Sequence, residues 1–232
     1  QSRSWVSDHP VAVTLQTGFA DTFQLTLGGV FGEGPAWQNR VSVSTGNMFR
    51  RSDAIVVSGF ATTDTPGHHT DWMGAIGYRT RLWARGNQQL DSTFTFERWR
   101  LPSVLTGAQD WLAGYAATYA SRPWKVPVTV QTNAWTLLHS SLQKGSLVHT
   151  QAWAGHSLHR SDRFSATLRH GPQYTYSWNF YGTDGHRVLR YGAALVLAHG
   201  ATSVELGYRR QCGLQAKIIN NGFWSVLLSR TF

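Results

Sequence analysis

The residues of this sequence that are best suited to bind a ligand are its arginines. Three of the 21 basic side chains are lysines, which leaves 18 arginines and, against 12 acidic residues, a net charge of +9. The planar guanidinium binds carboxylate, phosphate or sulfate through two parallel hydrogen bonds, whereas lysine acts as a solvated point charge. The excess of arginine therefore indicates an anionic partner.

Several of these arginines fall on the polar side of segments in which apolar residues alternate. The same polar side carries two glutamates, so that the set is Arg40, Arg79, Arg81, Arg169, Arg190, Arg209, Glu97 and Glu205. If these sides enclose one space, the like charges repel one another unless an anion lies between them. Two hypotheses follow: a lumen that attracts anions, or a closed interior in which arginines and glutamates pair.

A weaker candidate for catalysis is the pair His139 and Ser141, two positions apart in the chain. On one face of a strand, the imidazole could take the proton of the hydroxyl and make it a nucleophile toward an ester. The pair falls where a turn is expected, so catalysis is a secondary hypothesis.

No cofactor or metal site is predicted. The ten histidines include His68, His69 and those of residues 156–159, but both groups lie in or beside expected turns, with no cysteine or carboxylate at ligand spacing. The single cysteine, Cys212, excludes an internal disulfide. Nucleic acid is not an expected partner, because the basic residues form no run and no recognition helix or nucleic-acid motif is present.

β-Strands must position the candidate residues, because nearly every part of the chain alternates apolar and polar residues. The pattern predicts about 14 segments, or about 12 if residues 11–27 and another weak break are merged, each about 9–12 residues long and bounded by turns. A tilted membrane-spanning strand has this length. Charged residues are only 14% of the chain and aromatic residues 13%, which suits an outer wall in contact with lipid. No apolar run is long enough for a transmembrane helix.

The alternation also assigns individual side chains to the two faces. Most large aromatic residues fall on the lipid-facing side as membrane-interface anchors: Trp72, Trp111, Tyr174, Trp178 and Trp224. Trp83 and Trp153 are exceptions whose registers point inward, where a sugar could stack. Arg98 and Arg100 continue the outward face of their segment, so they either lie among lipid headgroups or follow a bulge. A turn is predicted at residues 170–172, His-Gly-Pro.

Residues 222–232 place Trp224, Val226, Leu228 and Phe232 on one face, with Arg230 among them. This segment resembles the closing strand of Gram-negative outer-membrane β-barrel proteins, in which a terminal aromatic residue belongs to the signal read by the barrel-assembly machinery. A buried strand of a soluble β-domain is the alternative for this segment taken alone. The alternation of the rest of the chain favours the barrel.

The resemblance implies an all-β fold, a single antiparallel transmembrane β-barrel of residues 11–232 with about 14 strands and short turns and loops. Residues 1–10 are expected to be a polar lead-in. Because the sequence opens on Gln1 and shows no signal segment, we expect a mature chain in the outer membrane after removal of a signal peptide. Its expected partners are outer-membrane lipid and lipopolysaccharide and the barrel-assembly machinery.

The leading functional hypothesis is a small channel with an arginine-rich lumen that passes anionic small solutes or acidic oligosaccharides. The chain is similar in size, short loops and inward arginines to the narrow acidic-oligosaccharide channels of enterobacteria. The first alternative is a structural or assembly barrel that serves as the outer-membrane partner of a larger envelope complex. The second is a lipid esterase or deacylase, because His139 and Ser141 resemble the catalytic pair of outer-membrane phospholipases and lipid A deacylases.

Overall fold

A computed structural model describes residues 9–21, 35–50, 52–64, 70–102, 109–139, 145–180, 185, 187–214 and 222–232. Within these residues the chain forms twelve strands and one short 3-10 turn at Pro123–Lys125. The strands are β1 Val11–Ala20, β2 Ala36–Gly46, β3 Ala54–Asp64, β4 Thr70–Arg85, β5 Gln88–Arg100, β6 Gln109–Ser121, β7 Val128–His139, β8 Ser146–Arg160, β9 Phe164–Trp178, β10 Arg187–His199, β11 Thr202–Gly213 and β12 Gly222–Thr231.

The strands close into a single antiparallel barrel. Each strand pairs with the next along the chain, and β12 pairs with β1 from Thr14 opposite Thr231 to Ala20 opposite Ser225. Closure satisfies the backbone hydrogen bonds of both outer strands, which would otherwise be exposed edges. The all-β antiparallel barrel predicted from the alternation is confirmed. Its strand number is 12, the smaller of the two predicted values, and not 14.

One of the two surplus predicted strands came from the turn placed at residues 170–172, and that prediction is wrong. His170, Gly171 and Pro172 lie in the middle of β9, which runs unbroken from Phe164 to Trp178. The ladder to β8 has pairs at Gln173 and His170 and none between them. Proline has no N–H to contribute there, and a Cβ on Gly171 would collide with the carbonyl oxygen of Ala152. The other surplus strand depends on the break predicted within residues 11–27, of which residues 22–27 lie outside the described residues.

The two ends of the barrel differ in their connections. One end, called here the terminal end, carries the start of β1, the end of β12 and the connections 47–53, 86–87, 122–127, 161–163 and 200–201. The other, the loop end, carries the connections 21–35, 65–69, 101–108, 140–145, 179–186 and 214–221, which include the four longest. Outer-membrane barrels have short turns on the periplasmic side and longer loops outside, and the two ends of this barrel differ in the same way.

The outer wall is apolar, with large aromatic side chains concentrated toward the loop end. All five predicted anchors face outward and are between 37% and 64% exposed: Trp72, Trp111, Tyr174, Trp178 and Trp224. Trp111 stacks on Phe96 with ring centroids 4.9 Å apart, and Trp224 lies 4.6 Å from Tyr208. Such a belt is typical of the level where a barrel meets the membrane interface. No helix among the described residues is long and apolar enough to cross a membrane.

The interior contains an apolar cluster that the sequence did not predict. Ten buried residues form it, mostly on β2 to β8 toward the loop end: Ala36, Phe60, Met73, Trp99, Leu101, Leu112, Trp135, Leu137, Leu147 and Phe180. Trp99 is completely buried and lies 5.9 Å from Phe180 and 6.3 Å from Trp135 between ring centroids. Part of the space inside the barrel is therefore packed like the core of a soluble domain.

Candidate functional site in the barrel interior

Four of the six predicted arginines lie inside the barrel. Arg40 is on β2, Arg169 on β9, Arg190 on β10 and Arg209 on β11. Arg190 is only 2% exposed, and its Nε donates a hydrogen bond to Oε1 of Gln211 at 2.8 Å. Side chains of a strand point alternately to its two sides, and the positions that point into the barrel are called here its inward parity. Each of these four arginines occupies a position of inward parity.

Arg169 and Arg209 are held against the same aromatic ring. The guanidinium carbon of Arg169 lies 5.0 Å from the ring of Trp153, and that of Arg209 lies 5.9 Å from it. Gly192 makes room for this arrangement, since a Cβ there would lie 2.9 Å from Cη2 of Trp153 and 3.0 Å from Cγ of Arg209. Trp153 points inward, as its register predicts, and fixes two cationic groups by cation–π contact.

The two interior glutamates differ in their partners. Glu205 forms an ion pair with Arg169. Glu97 accepts hydrogen bonds from neutral donors: Nε1 of Trp99 at 2.7 Å, Nε1 of Trp135 at 3.1 Å and the hydroxyl of Thr95 at 2.6 Å. A carboxylate occupied in this way neutralises arginine only at longer range. Between described residues, Glu205 is the one carboxylate that forms an ion pair with any of the four arginines. The buried Asp71 and Asp110 are two further inward carboxylates, on β4 and β6.

Two small cavities meet at Arg40. One of about 80 Å³ is lined by residues that include Gln16, Gln38, Arg40, Phe60, Glu205 and Arg209. The other, of about 150 Å³, is lined by residues that include Arg40, Ser58, Phe60, Glu97, Asn133 and Trp135. The guanidinium of Arg40 lies 5.8 Å from the ring of Phe60. Within the described chain, the buried Nε atoms of Arg40 and Arg169 have no hydrogen-bond partner, so both can donate to an anion.

Arg79 and Arg81 do not join the interior site. Both are exposed at the terminal end of the barrel, and Nε of Arg81 lies 3.2 Å from Oδ1 of Asp91. The β4–β5 ladder shifts register between Arg81 and Trp83, which pairs Trp83 with Leu90. The prediction that Trp83 points inward is therefore wrong, because a bulge moves every later side chain of a strand to the opposite face.

A chain of neutral polar groups connects the arginine side of the interior with β7. Nε1 of Trp153 donates to Gln151 at 3.1 Å, Gln151 donates to Gln131 at 2.9 Å, and Gln131 donates to Asn133 at 3.1 Å. Beside it, Nδ1 of the buried His149 lies 3.0 Å from the hydroxyl of Thr175. None of these neutral polar residues belongs to the predicted lumen set, although their inward positions follow from the alternation of the sequence.

The histidines lie away from this interior site. His139 is exposed at the loop end of β7, and its proposed partner Ser141 lies outside the described residues, so the esterase hypothesis stays a prediction. On the outer wall, Nε2 of His156 lies 3.1 Å from Nε2 of His170, whose Nδ1 lies 2.6 Å from the hydroxyl of Tyr191. Among the described residues, no three or more His, Cys, Asp or Glu side chains are grouped to hold a metal.

The residues predicted as an assembly signal share the outer face of β12. Trp224, Val226, Leu228 and Phe232 are all exposed there. The amide of Phe232 donates to the carbonyl of Val13 at 2.8 Å, and the guanidinium of Arg230 lies 4.8 Å from the Phe232 ring. The apolar stripe is thus continuous despite its one cation, and its role in assembly stays a prediction.

Comparison with known proteins agrees on the fold. No protein-family model and no curated protein matches the chain. Among solved structures, the chain is similar to the NanC porin, with a TM-score of 0.59 and 8% identity over 95% of this chain and 98% of that one. It is similar to LpxR from Salmonella typhimurium, with a TM-score of 0.53 and 7% identity over 94% and 100% of the two chains. A third is the translocator domain of the autotransporter NalP from Neisseria meningitidis, with a TM-score of 0.51 and 15% identity over 96% and 87%. The chain has the fold of Gram-negative outer-membrane β-barrel proteins.

Proposed function

We propose that this barrel lies in the outer membrane and is a channel whose lumen binds and passes anionic solutes. The observation that carries this function is the placing of Arg40, Arg169, Arg190 and Arg209 together on the inward faces of β2, β9, β10 and β11. Glu205 pairs with Arg169 there, whereas the other buried inward carboxylates, Asp71, Glu97 and Asp110, lie on β4, β5 and β6, so the arginine-bearing part of the wall has an excess of positive charge. An enclosed wall with an excess of one charge raises the local concentration of the opposite ion. The result is selectivity for anions.

The electrostatic effect is large enough to decide selectivity. A unit charge 4 Å from a passing anion contributes about 1 kcal/mol in water and about 4 kcal/mol at a protein surface. Several arginines act on the same anion in the lumen. Screening reduces their effect as the Debye length falls from about 10 Å at 0.1 M salt to about 3 Å at 1 M. Anion preference should therefore be strong in dilute salt and weak in concentrated salt.

The dimensions of the interior favour small anions. The cavities of about 80 and 150 Å³ beside Arg40 accommodate a single carboxylate- or phosphate-bearing group, given that one water occupies about 30 Å³ of liquid. An acidic oligosaccharide would need the apolar cluster or the polar chain to move aside. Small anionic solutes are thus the first choice, and acidic oligosaccharides are the larger alternative.

The test is single-channel recording in a planar lipid bilayer with a salt gradient across it. The wild-type protein should show a reversal potential of the sign given by anion preference, larger at 0.1 M than at 1 M salt. Arg40→Gln combined with Arg209→Gln should bring this potential close to zero. Arg85→Gln combined with Arg230→Gln is the matched control, since it removes two exposed charges from the outer face at the terminal end, and it should change selectivity little.

A second function, that of a structural or assembly barrel, is supported by a separate observation. The buried cluster around Trp99, Trp135 and Phe180 fills interior space that a conducting pore would leave open, and this favours a structural or assembly barrel that serves as partner in an envelope complex. Absence of steady current from folded wild-type protein would support this function and contradict the channel. A current that prefers cations would contradict the anion channel.

A further inference from the structure

Two arginines lie on the outer wall, where the surrounding face is apolar and aromatic. Arg98 and Arg100 follow Phe94 and Phe96 at every second position of β5, and all four are exposed. The β4–β5 ladder is regular here, with Gly74 opposite Arg98 and no shift of register before Arg81. A bulge therefore does not explain their outward position, and an arginine at the lipid boundary requires a partner or an interface.

Two neighbouring side chains, Trp111 and Gln109, hold the guanidinium of Arg98 in place. Its guanidinium carbon lies 5.1 Å from the ring of Trp111, which is itself stacked on Phe96 at 4.9 Å with an interplanar angle of 17°. Its Nη2 donates to Oε1 of Gln109. A Cβ placed on Gly74 would meet no atom within 4 Å, so the other side of Arg98 opens outward. The guanidinium is oriented in advance for a ligand approaching from that side.

No protein carboxylate neutralises this pair within the described residues. The ion pairs between described residues are Arg81 with Asp91 and Arg169 with Glu205. Asp71 and Asp110, on the two adjacent strands, are 1% exposed and have inward parity. Two cations about 7 Å apart along one strand, beside the outward rings of Trp72 and Trp111, thus form a basic patch with an apolar surround.

We propose that Arg98 and Arg100 bind the phosphate groups of lipid A in the outer leaflet. The patch lies in the aromatic belt of the loop end, at the level where headgroups meet acyl chains, and the longer connections place that end outside. Guanidinium groups match phosphate oxygens with paired hydrogen bonds. Below the patch, Phe94, Phe96 and Ile76 supply an apolar surface for acyl chains, and each is more than 45% exposed.

A glycerophospholipid offers the same phosphate chemistry but carries a single phosphate on a flexible headgroup. Lipid A carries two phosphates on a rigid disaccharide, so it presents charge to both arginines without the same loss of conformational freedom. The site should therefore prefer bisphosphorylated lipid A over phosphatidylglycerol and over lipid A from which the phosphates have been removed.

The experiment is native mass spectrometry of the folded barrel in detergent, titrated separately with bisphosphorylated lipid A, dephosphorylated lipid A and phosphatidylglycerol. Arg98→Gln combined with Arg100→Gln should weaken lipid A binding about tenfold or more, the scale of losing charge-assisted hydrogen bonds. The matched control is Arg85→Gln combined with Arg230→Gln, which removes two exposed charges at the terminal end and should bind lipid A like the wild type.

Three results would overturn the proposal: equal binding of dephosphorylated lipid A, a preference for phosphatidylglycerol, or equal losses in the two double variants. If the glutamine variant does not fold, Arg98→Lys with Arg100→Lys carries the test. That variant keeps both charges but loses the planar fork, so its preference for phosphorylated over dephosphorylated lipid A should fall several-fold. An unchanged preference would contradict the proposal. Bilayer recordings do not depend on this site, so the channel function is tested separately.

Discussion

A carboxylate inside a barrel rich in arginine would be expected to form an ion pair, yet Glu97 accepts its hydrogen bonds from two indoles and a hydroxyl. Glu97 is 7% exposed, so these donors replace most of its water. A Cβ on Gly114 would approach Oε1 of Glu97 to 2.6 Å, which shows that a neighbouring strand leaves space for the carboxylate. At the scale of the residue, Glu97 orients the two tryptophans of the apolar cluster.

Replacing Glu97 with Gln should lower the free energy of unfolding by about 1–3 kcal/mol. The amide nitrogen of Gln would face an indole N–H, and one buried donor would lose its acceptor. Urea unfolding from lipid vesicles, followed by tryptophan fluorescence, measures the change. Asp91→Asn is the control, because it removes a charge whose partners, Arg81 and Gln89, lie in a partly exposed position, and it should cost less than about 1 kcal/mol. Equal losses in the two variants would contradict a structural role for the indole contacts.

At the scale of the element, β9 shows how a strand can contain residues that normally end one. Gly171 approaches the backbone of β8 where the ladder has no pair, and Pro172, on the exposed face, pairs with Tyr191 on β10. The glycine permits the close approach, and the proline, which lacks an N–H, loses no hydrogen bond at a position where the ladder to β8 is already interrupted.

Gly171→Ala should therefore destabilise the barrel by about 1–3 kcal/mol or more, because the added methyl group would overlap the carbonyl of Ala152. Gly155→Ala on the adjacent strand is a matched control. Its nearest contact would be Cγ2 of Thr167 at 3.6 Å, an ordinary van der Waals distance, so its effect should stay within about 0.5 kcal/mol. Heat-modifiable mobility on gels and urea unfolding measure the stability of both variants. Equal stability of the two variants would exclude a backbone clash at Gly171.

The sequence predicted most of the features that depend on the alternation of side chains along a β-strand, which has a period of two residues. The barrel class, the outward position of the large aromatic residues and the inward position of the arginines of β2, β9, β10 and β11 all follow from alternation. The predictions were wrong where a bulge or an irregular pairing interrupts this alternation. The bulge after Arg81 reversed Trp83, and the irregular pairing at Pro172 was taken for a turn. The apolar cluster was missed because inner positions such as Trp99 and Leu112 are apolar on strands whose outer positions are apolar too.

At the scale of the whole molecule, the two faces of the wall should respond differently to the same substitution. Ile76 is 55% exposed on the outer wall, and Arg in its place should cost about 2–4 kcal/mol if the position lies near the middle of the bilayer. Ser203 has inward parity, opposite Ser229 on β12, and Arg there should cost much less. Urea titration in vesicles compares the two variants. Equal costs would contradict the assignment of the faces.

The closed wall also determines the order in which the molecule can form. The tight turn at Gly86, with φ of +57°, joins β4 and β5 locally, and such hairpins form in microseconds. The seam between β1 and β12 instead joins Thr14 to a residue 217 positions away, so its loop-closure entropy must be overcome before its hydrogen bonds form. Until then the curved sheet has two free edges that can pair with other chains. We therefore expect the seam to close last, and the interval before it closes to be when the chain is most prone to aggregate.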